Sequence, residues 1–535
     1  MKVLFSVFAG FAALFLATFS QADVLESIDT SRVNVGGEIG HRIDVTIDNN
    51  LLALDADGDF LKPFQEKKAQ GGYIGLGKLI DALVRSAAYS KDPRVLERKR
   101  HVVREILATQ DADGYIGQFV PDKRMWALWD IHEMAYLIYG LTMDYQFFEE
   151  KPSLEAARKA ADYLITHWKA EPTPNPGGGS ITVYMAVTGL EPALLALYES
   201  TGDQKYVDFC VVERNLAAWN GPIVLGRWGP IQGHAYAYMT RCLAQTRLYR
   251  IQPDPKLLKT THKMIDFLLE HDGLVITGTC GQHECWHDTQ EGAATLGETC
   301  ATAYLIRLLD SMLRLEGDTK YGDMIERAVY NALFAAQSPD GRRIRYYAPF
   351  EGPRVYFDGD TWCCPSNYRR IIAELPRMIY YRQNGGITVL LYTESEAQID
   401  LEDDLSVTVK QETEYPSGGK VVLSIEPSRD AAFDLRFRVP GWCDSARVSV
   451  NGEAVDTPLV AGSFGKIRRI WKKGDRVELD LPMTLRLIKG TQSQAGRVAI
   501  MYGPRVFTLN PERNPELGDT NPRILTIDPA TLQGP

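Results

Sequence analysis

Beyond its opening residues the 535-residue sequence has no apolar run of the ~18–20 residues that a membrane helix needs, so no span is expected in the mature chain. It has no surplus of positive charge either: 59 Lys and Arg stand against 69 Asp and Glu, a formal net charge of −10. Nucleic acid is bound by clustered cations, so it is excluded as a partner and neutral ligands fit better. Cysteine is sparse, eight in the whole chain, far below the density of a disulfide-stapled scaffold. No low-complexity linker divides the chain, so its regions are expected to pack together.

What is there begins with MKVLFSVFAGFAALFLATFSQADV: a lysine, an apolar run, then small residues at Ser20 and Ala22. That is the pattern of a signal peptide over 1–22, and cleavage near Ala22 would leave an exported, periplasmic or secreted protein. From about residue 71 to 381 one unit recurs: a long amphipathic helix, a short turn rich in Asp, Gly or Pro, a second helix, then a loop. The turns lie in YSKDPRVLERK, YESTGDQKYVDF, YRIQPDPKLLK and LEGDTKYGDMIERA. First helices start near residues 71, 124, 180, 231, 297 and 362, which predicts six hairpins closed into a toroid, an (α/α)6 barrel, rather than an open solenoid. The leading ends of its inner helices converge on one mouth.

After about residue 385 the texture changes to short alternating runs such as GITVLLYT, LSVTVKQ, KVVLSIE and FDLRFRVP. These are strands of an antiparallel β-sandwich. The chain is therefore mainly α, with an (α/α)6 barrel over 23–384 and a β-sandwich over 385–535. HRIDVTIDNNLLAL (41–54) is expected to add edge strands to the sandwich.

Cys210, Cys242 and Cys443 lie in apolar segments and read as core. The other five gather in TGTCGQHECWHD (277–288), GETCATAY (297–304) and WCCPSNYRR (362–370), at the starts of the last two inner helices. Pro365 favours the first helical turn, which makes Cys364 the expected N-cap with Cys363 just outside. At a helix entrance two adjacent thiols can face one metal, and the exposed N–H groups stabilise a thiolate. Glu298 and Cys300, after Gly297, sit in the same position on the preceding inner helix. Glu298, Cys300, Cys363 and Cys364 thus offer one oxygen and three sulfurs, a four-ligand set for Zn²⁺; the alternative is a group of buried thiols. Glu284, among His283, Trp286, His287 and Asp288, is a candidate general acid.

With an E-x-C and a C-C-P-x-N on successive inner helices, the chain resembles glycoside hydrolase family 127, best known for retaining β-L-arabinofuranosidase. The resemblance covers nearly the whole mature chain. It implies that Cys363 is a nucleophile, that Glu298, Cys300, Cys363 and Cys364 hold zinc, and that Glu284 is the acid/base, with Glu291 as a rival. It also implies sugar contacts from His132 and His234, and Trp129, Glu133, Tyr238 and Tyr347 are candidates for the same pocket. Two departures stand out. The family's His-Pro-Glu run is replaced by Gly189-Leu190-Glu191, which keeps Glu191 as a candidate contact, and the acid/base segment is short and carries Cys280 and Cys285, bonded or simply packed. Asn367 reads as fixing the helix entrance.

Three readings follow from this. The first is a zinc–thiolate exo-glycosidase acting on a terminal β-L-arabinofuranoside of an arabinose-containing glycan. The second is the same enzyme on another sugar, and the third a glycan-binding protein with structural zinc.

Overall fold

The computed structural model describes residues 23–169, 185–228, 231–292, 294–518 and 520–531; the signal peptide expected over 1–22 lies outside them. Six inner helices form the ring: Leu76–Ser90, Asp130–Phe148, Leu190–Thr201, Ala235–Ile251, Thr299–Glu316 and Cys363–Glu374. Each packs on the next, and the sixth packs on the first. The inner helices are buried nearly all round, as in the unbroken buried run from Leu76 to Ala88. By contrast, the outer helix Pro93–Leu107 buries only Val95, Lys99, Val102, Val103 and Ile106, one stripe at helical spacing, behind an Asp92 cap and Pro93 in its first turn. Gly77 lets the first two inner helices meet at backbone distance, since a Cβ there would lie 2.1 Å from the Tyr136 carbonyl carbon.

The sixth hairpin has no second helix. After Glu374 a 3-10 turn, Leu375–Met378, leads almost at once into strand Tyr380–Gln383. The outer position is filled from the other end of the chain by helix Gly37–Thr46, which packs against the helix that starts at Cys363. This overturns the strand expected at 41–54. Ile39, Ile43, Ile47 and Leu51 are buried apolar residues four apart, so the segment uses a helical period although Ile43, Val45 and Ile47 also alternate.

Two sheets make the sandwich. The seven-stranded sheet runs from Glu453–Ala454 at one edge to Val33–Val35 at the other. The five-stranded sheet begins with Glu26–Ser27 and contains one parallel pair, Gly386–Val389 beside Ala431–Val439, in an otherwise antiparallel arrangement. Residues 26–35 thus give one edge strand to each sheet. Past Asp480 the chain leaves the sandwich for a separate three-stranded sheet, Leu485–Lys489, Val498–Tyr502 and Arg505–Val506. The turn within it braces the rim of the barrel mouth: Thr491 Oγ1 donates to Asp272 at 2.7 Å and Ser493 N to the Thr289 carbonyl at 3.1 Å. Among the described residues no helix is long and apolar enough to cross a membrane.

Candidate active site

The helix of WCCPSNYRR starts earlier than expected: Trp362 is the N-cap and Cys363 and Cys364 are the first two helical residues. Glu298 caps the fifth inner helix, which puts Cys300 in its first turn. An extended strip over 345–348 is clamped against the fifth start, Thr299 N donating to the Tyr346 carbonyl at 2.9 Å and Thr299 Oγ1 to that of Arg345 at 2.7 Å. As a result, donor atoms of Glu298, Cys300, Cys363 and Cys364 all lie within 4.8 Å of one another. The Cys300 and Cys364 sulfurs are 3.3 Å apart, and Cys364 Sγ is 3.6 Å from Glu298 Oε1. Asn367 Nδ2 donates to Cys300 Sγ at 3.1 Å and its Oδ1 accepts from Arg370, so it orients the cluster from below.

The electrostatics are uneven. Hydrogen bonds from Cys300 and Cys364 hold the Cys363 thiol well below its ordinary value, with Lys78 and Tyr346 adding to the effect. Burial drives Cys300, Cys364 and Glu298 the other way, toward their neutral forms. The second Glu298 oxygen is buried with no hydrogen-bond partner. Four convergent donors, three of them soft sulfurs, and an orphaned carboxylate oxygen fit a divalent metal of the zinc type, which would ionise the groups that burial keeps neutral.

Glu284 reaches the cluster from a tight turn. Gln282 and Cys285 exchange two backbone hydrogen bonds of 2.9 Å, and His283 and Glu284 both take left-handed backbone angles, φ 51 and 66. The turn is pinned to the fourth inner helix by Ala235 N donating to the Glu284 carbonyl at 2.9 Å. Trp286 fills the core beneath, edge-on to Tyr238 and Phe267. The side chain of Glu284 is buried: Tyr346 Oη donates to Oε1 at 2.5 Å, and His234 Nε2 lies 3.4 Å from Oε2. The same Tyr346 hydroxyl is 3.4 Å from Cys363 Sγ. One phenol therefore joins the candidate acid to the candidate nucleophile. Glu291 is only half-buried, its backbone N donating to Thr289 Oγ1 at 3.4 Å.

Beside the cluster lies a buried polar wall. His132 sits among the rings of Tyr73, Trp129 and Tyr136, with Nδ1 unpartnered, and burial keeps its imidazole neutral. Glu133 Oε1 accepts the Ile74 and Gly75 amides at 2.8 Å each, its other oxygen is unpartnered, and burial pushes its carboxyl up to about 7. The hydroxyls of Tyr73 and Ser366 are also buried without partners, both close to Gly75. Trp129 stands half-buried at the left-handed start of the second inner helix.

Other expected residues are placed differently. Glu191 has another occupation: its carboxylate is 3.1 Å from Arg214 and 3.6 Å from Arg241, a buried ion pair rather than a group open to a sugar. Tyr238 donates to the Gly221 carbonyl at 2.9 Å and packs in the core. Cys280 and Cys285 are unbonded buried thiols, the packing alternative. Tyr347 bridges to Glu298 through its backbone and rests its ring on Tyr346, 4.8 Å between centroids. Tyr346 itself was missed. Neighbours on an extended strip point to opposite sides, so RYYAPF offered one inward tyrosine without saying which.

Residues 44–377 match the catalytic domain, and 386–483 the middle domain, of the GH127 β-L-arabinofuranosidases. A non-reducing end β-L-arabinofuranosidase from Bifidobacterium longum subsp. longum is 26% identical over 508 residues, covering 82% of this chain and 75% of that protein. A GH127 β-L-arabinofuranosidase from Geobacillus stearothermophilus T6 superposes with a TM-score of 0.75 at 25% identity, over 89% of this chain and 86% of the other. A second solved GH127 β-arabinofuranosidase gives 0.77 at 24% identity, over 91% and 85% of the two chains.

Proposed function

The chain belongs to glycoside hydrolase family 127 and is a glycoside hydrolase, and from that premise we propose that it removes a non-reducing terminal β-L-arabinofuranose, or a sugar of like stereochemistry, by double displacement on Cys363. The observation that carries this reading is the Tyr346 hydroxyl, hydrogen-bonded to Glu284 at 2.5 Å and to Cys363 at 3.4 Å. The Glu284 oxygen and the Cys363 sulfur are thus no further apart than those two lengths together. Retaining glycosidases that use two carboxylates hold them ~5–5.5 Å apart, on either side of the bond to be broken.

In the first step the Cys363 sulfur bonds to the anomeric carbon as the bond to the glycosidic oxygen breaks, and that oxygen takes the Glu284 proton. In the second, Glu284 accepts a proton from water, whose oxygen displaces the sulfur and restores the starting configuration. Zn²⁺ held by Glu298, Cys300, Cys363 and Cys364 would keep the nucleophile ionised and shield it from oxidation. His234 positions Glu284, while the unpartnered groups on His132, Glu133, Tyr73 and Ser366 supply hydrogen bonds for sugar hydroxyls. The signal-peptide pattern of the opening residues supports action outside the cytoplasm, and the family match supports an arabinose-containing glycan as substrate.

The test is intact-protein mass spectrometry of zinc-loaded, reduced enzyme with p-nitrophenyl β-L-arabinofuranoside, beside Cys363→Ser and Glu284→Gln. Turnover by wild type, lost in both variants while zinc is kept, is the expected result. Full activity in Cys363→Ser would sink the thioglycosyl route, and turnover of other glycosides alone would sink the sugar assignment.

A further inference from the structure

Lys78, on the first inner helix, is fully buried beneath the polar wall. Its ammonium lies 4.3, 5.2 and 5.4 Å from the ring centroids of Tyr136, Tyr236 and Tyr73, and 3.3 Å from the Tyr236 hydroxyl. Among the described residues no carboxylate comes within ion-pair distance of it. Other buried cations do have acids: Arg370 is 2.5 Å and Arg85 2.8 Å from Asp81, and Lys99 is 2.7 Å from Asp144. An ammonium taken wholly out of water without an anion is costly, and ring faces offset part of that cost. Glu133, the acid that feels its charge, lies beyond pairing distance and is already tied to two backbone amides.

A chain of hydrogen bonds connects Lys78 to the cluster instead. From Tyr236 the hydroxyl bonds run to Tyr136 at 2.7 Å and on to Tyr304 at 2.6 Å; Arg370 donates to the Tyr304 hydroxyl at 3.0 Å and to Asn367 Oδ1 at 3.2 Å, and Asn367 donates to Cys300 Sγ at 3.1 Å. Three thiolates and a carboxylate around one divalent ion leave a formal charge of two minus. We infer that Lys78 is the counter-cation of the loaded metal centre, a positioning residue that sets how tightly Glu298, Cys300, Cys363 and Cys364 hold zinc. The inference rests on the zinc reading above.

Zinc affinity of wild type, Lys78→Met, Lys78→Gln and Lys78→Arg, measured by competition with a chromophoric chelator, tests it alongside melting of the zinc-free and zinc-loaded forms. Both neutral variants should bind zinc ~10–100-fold more weakly, and Lys78→Arg within a few-fold of wild type. Zinc-free Lys78→Met should melt at or above zinc-free wild type, because an unpaired buried charge has been removed. A purely structural lysine gives the opposite pattern: a less stable zinc-free variant with unchanged affinity, which overturns the inference. Wild-type affinity in both neutral variants overturns it alone, whereas wild type that binds no zinc overturns the zinc reading with it.

Discussion

Two buried polar regions of this protein are built to opposite ends. At the junction of barrel and sandwich, Arg438 is fully buried and every arm of its guanidinium is used: Nε donates to the Leu390 carbonyl, Nη1 pairs with Asp323 and Nη2 with Glu326. Glu326 in turn accepts from Tyr415 and Trp442. At the barrel mouth, equally buried groups on His132, Glu133, Tyr73, Ser366 and Glu298 have no partner. Polar groups closed on one another fix a joint; polar groups left open wait for a ligand.

Cutting each region should have different consequences, and the largest is at the mouth. Glu284→Gln should slow hydrolysis of poorly activated substrates by ~10²–10⁴-fold with an unchanged melting temperature; steady-state kinetics with calorimetry checks this. Arg438→Met should do the reverse, stranding Asp323 and Glu326 at a cost of about 3–5 kcal/mol in denaturant unfolding, while the folded fraction keeps its kcat. A matching loss of kcat in the folded fraction would erase the contrast.

Tyr346→Phe sharpens it. Loss of the bond to Glu284 should lower kcat by about 10–100-fold on a disaccharide but little on a dinitrophenyl glycoside, whose leaving group needs no proton. Equal losses on both would move the role of Tyr346 away from the acid. The smallest effect concerns Glu133. Folded, it keeps its proton up to about 7, against an ordinary 4.5, so folding takes up a proton between those values and stability falls as pH rises across that window. Glu133→Gln should flatten that fall, by ~1–3 kcal/mol between about pH 5 and 8, in melting curves.

The reach of sequence reasoning divides along the same line. Helix starts near 124, 231, 297 and 362 were legible because each is marked by punctuation before an apolar stretch, and the Glu298, Cys300, Cys363, Cys364 set because rare residues sit at two such starts. Lys78 was not, since a lysine in a helix reads as a surface residue unless all its neighbours are known. Glu191 could not be read either. Its two arginines lie 23 and 50 positions further on, brought together only by the closed ring. The segment at 41–54 misled because one run of residues satisfied two periods.

The crossing of the amino-terminal residues into the sandwich bears on how the enzyme is made. Strand Glu26–Ser27 pairs with Tyr380–Gln383, Val33–Val35 with Ser395–Asp400, and the following helix backs the one that begins at Cys363. Partners more than 300 residues apart close late, because long loops must be bridged before they are rewarded. Residues 26–35 must therefore wait until nearly 400 residues have been synthesised before both of their strands can pair. A chain that ends before the sandwich strands leaves Glu26–Ser27 and Val33–Val35 without partners, so the segment leading into the backing helix is anchored only once those strands exist.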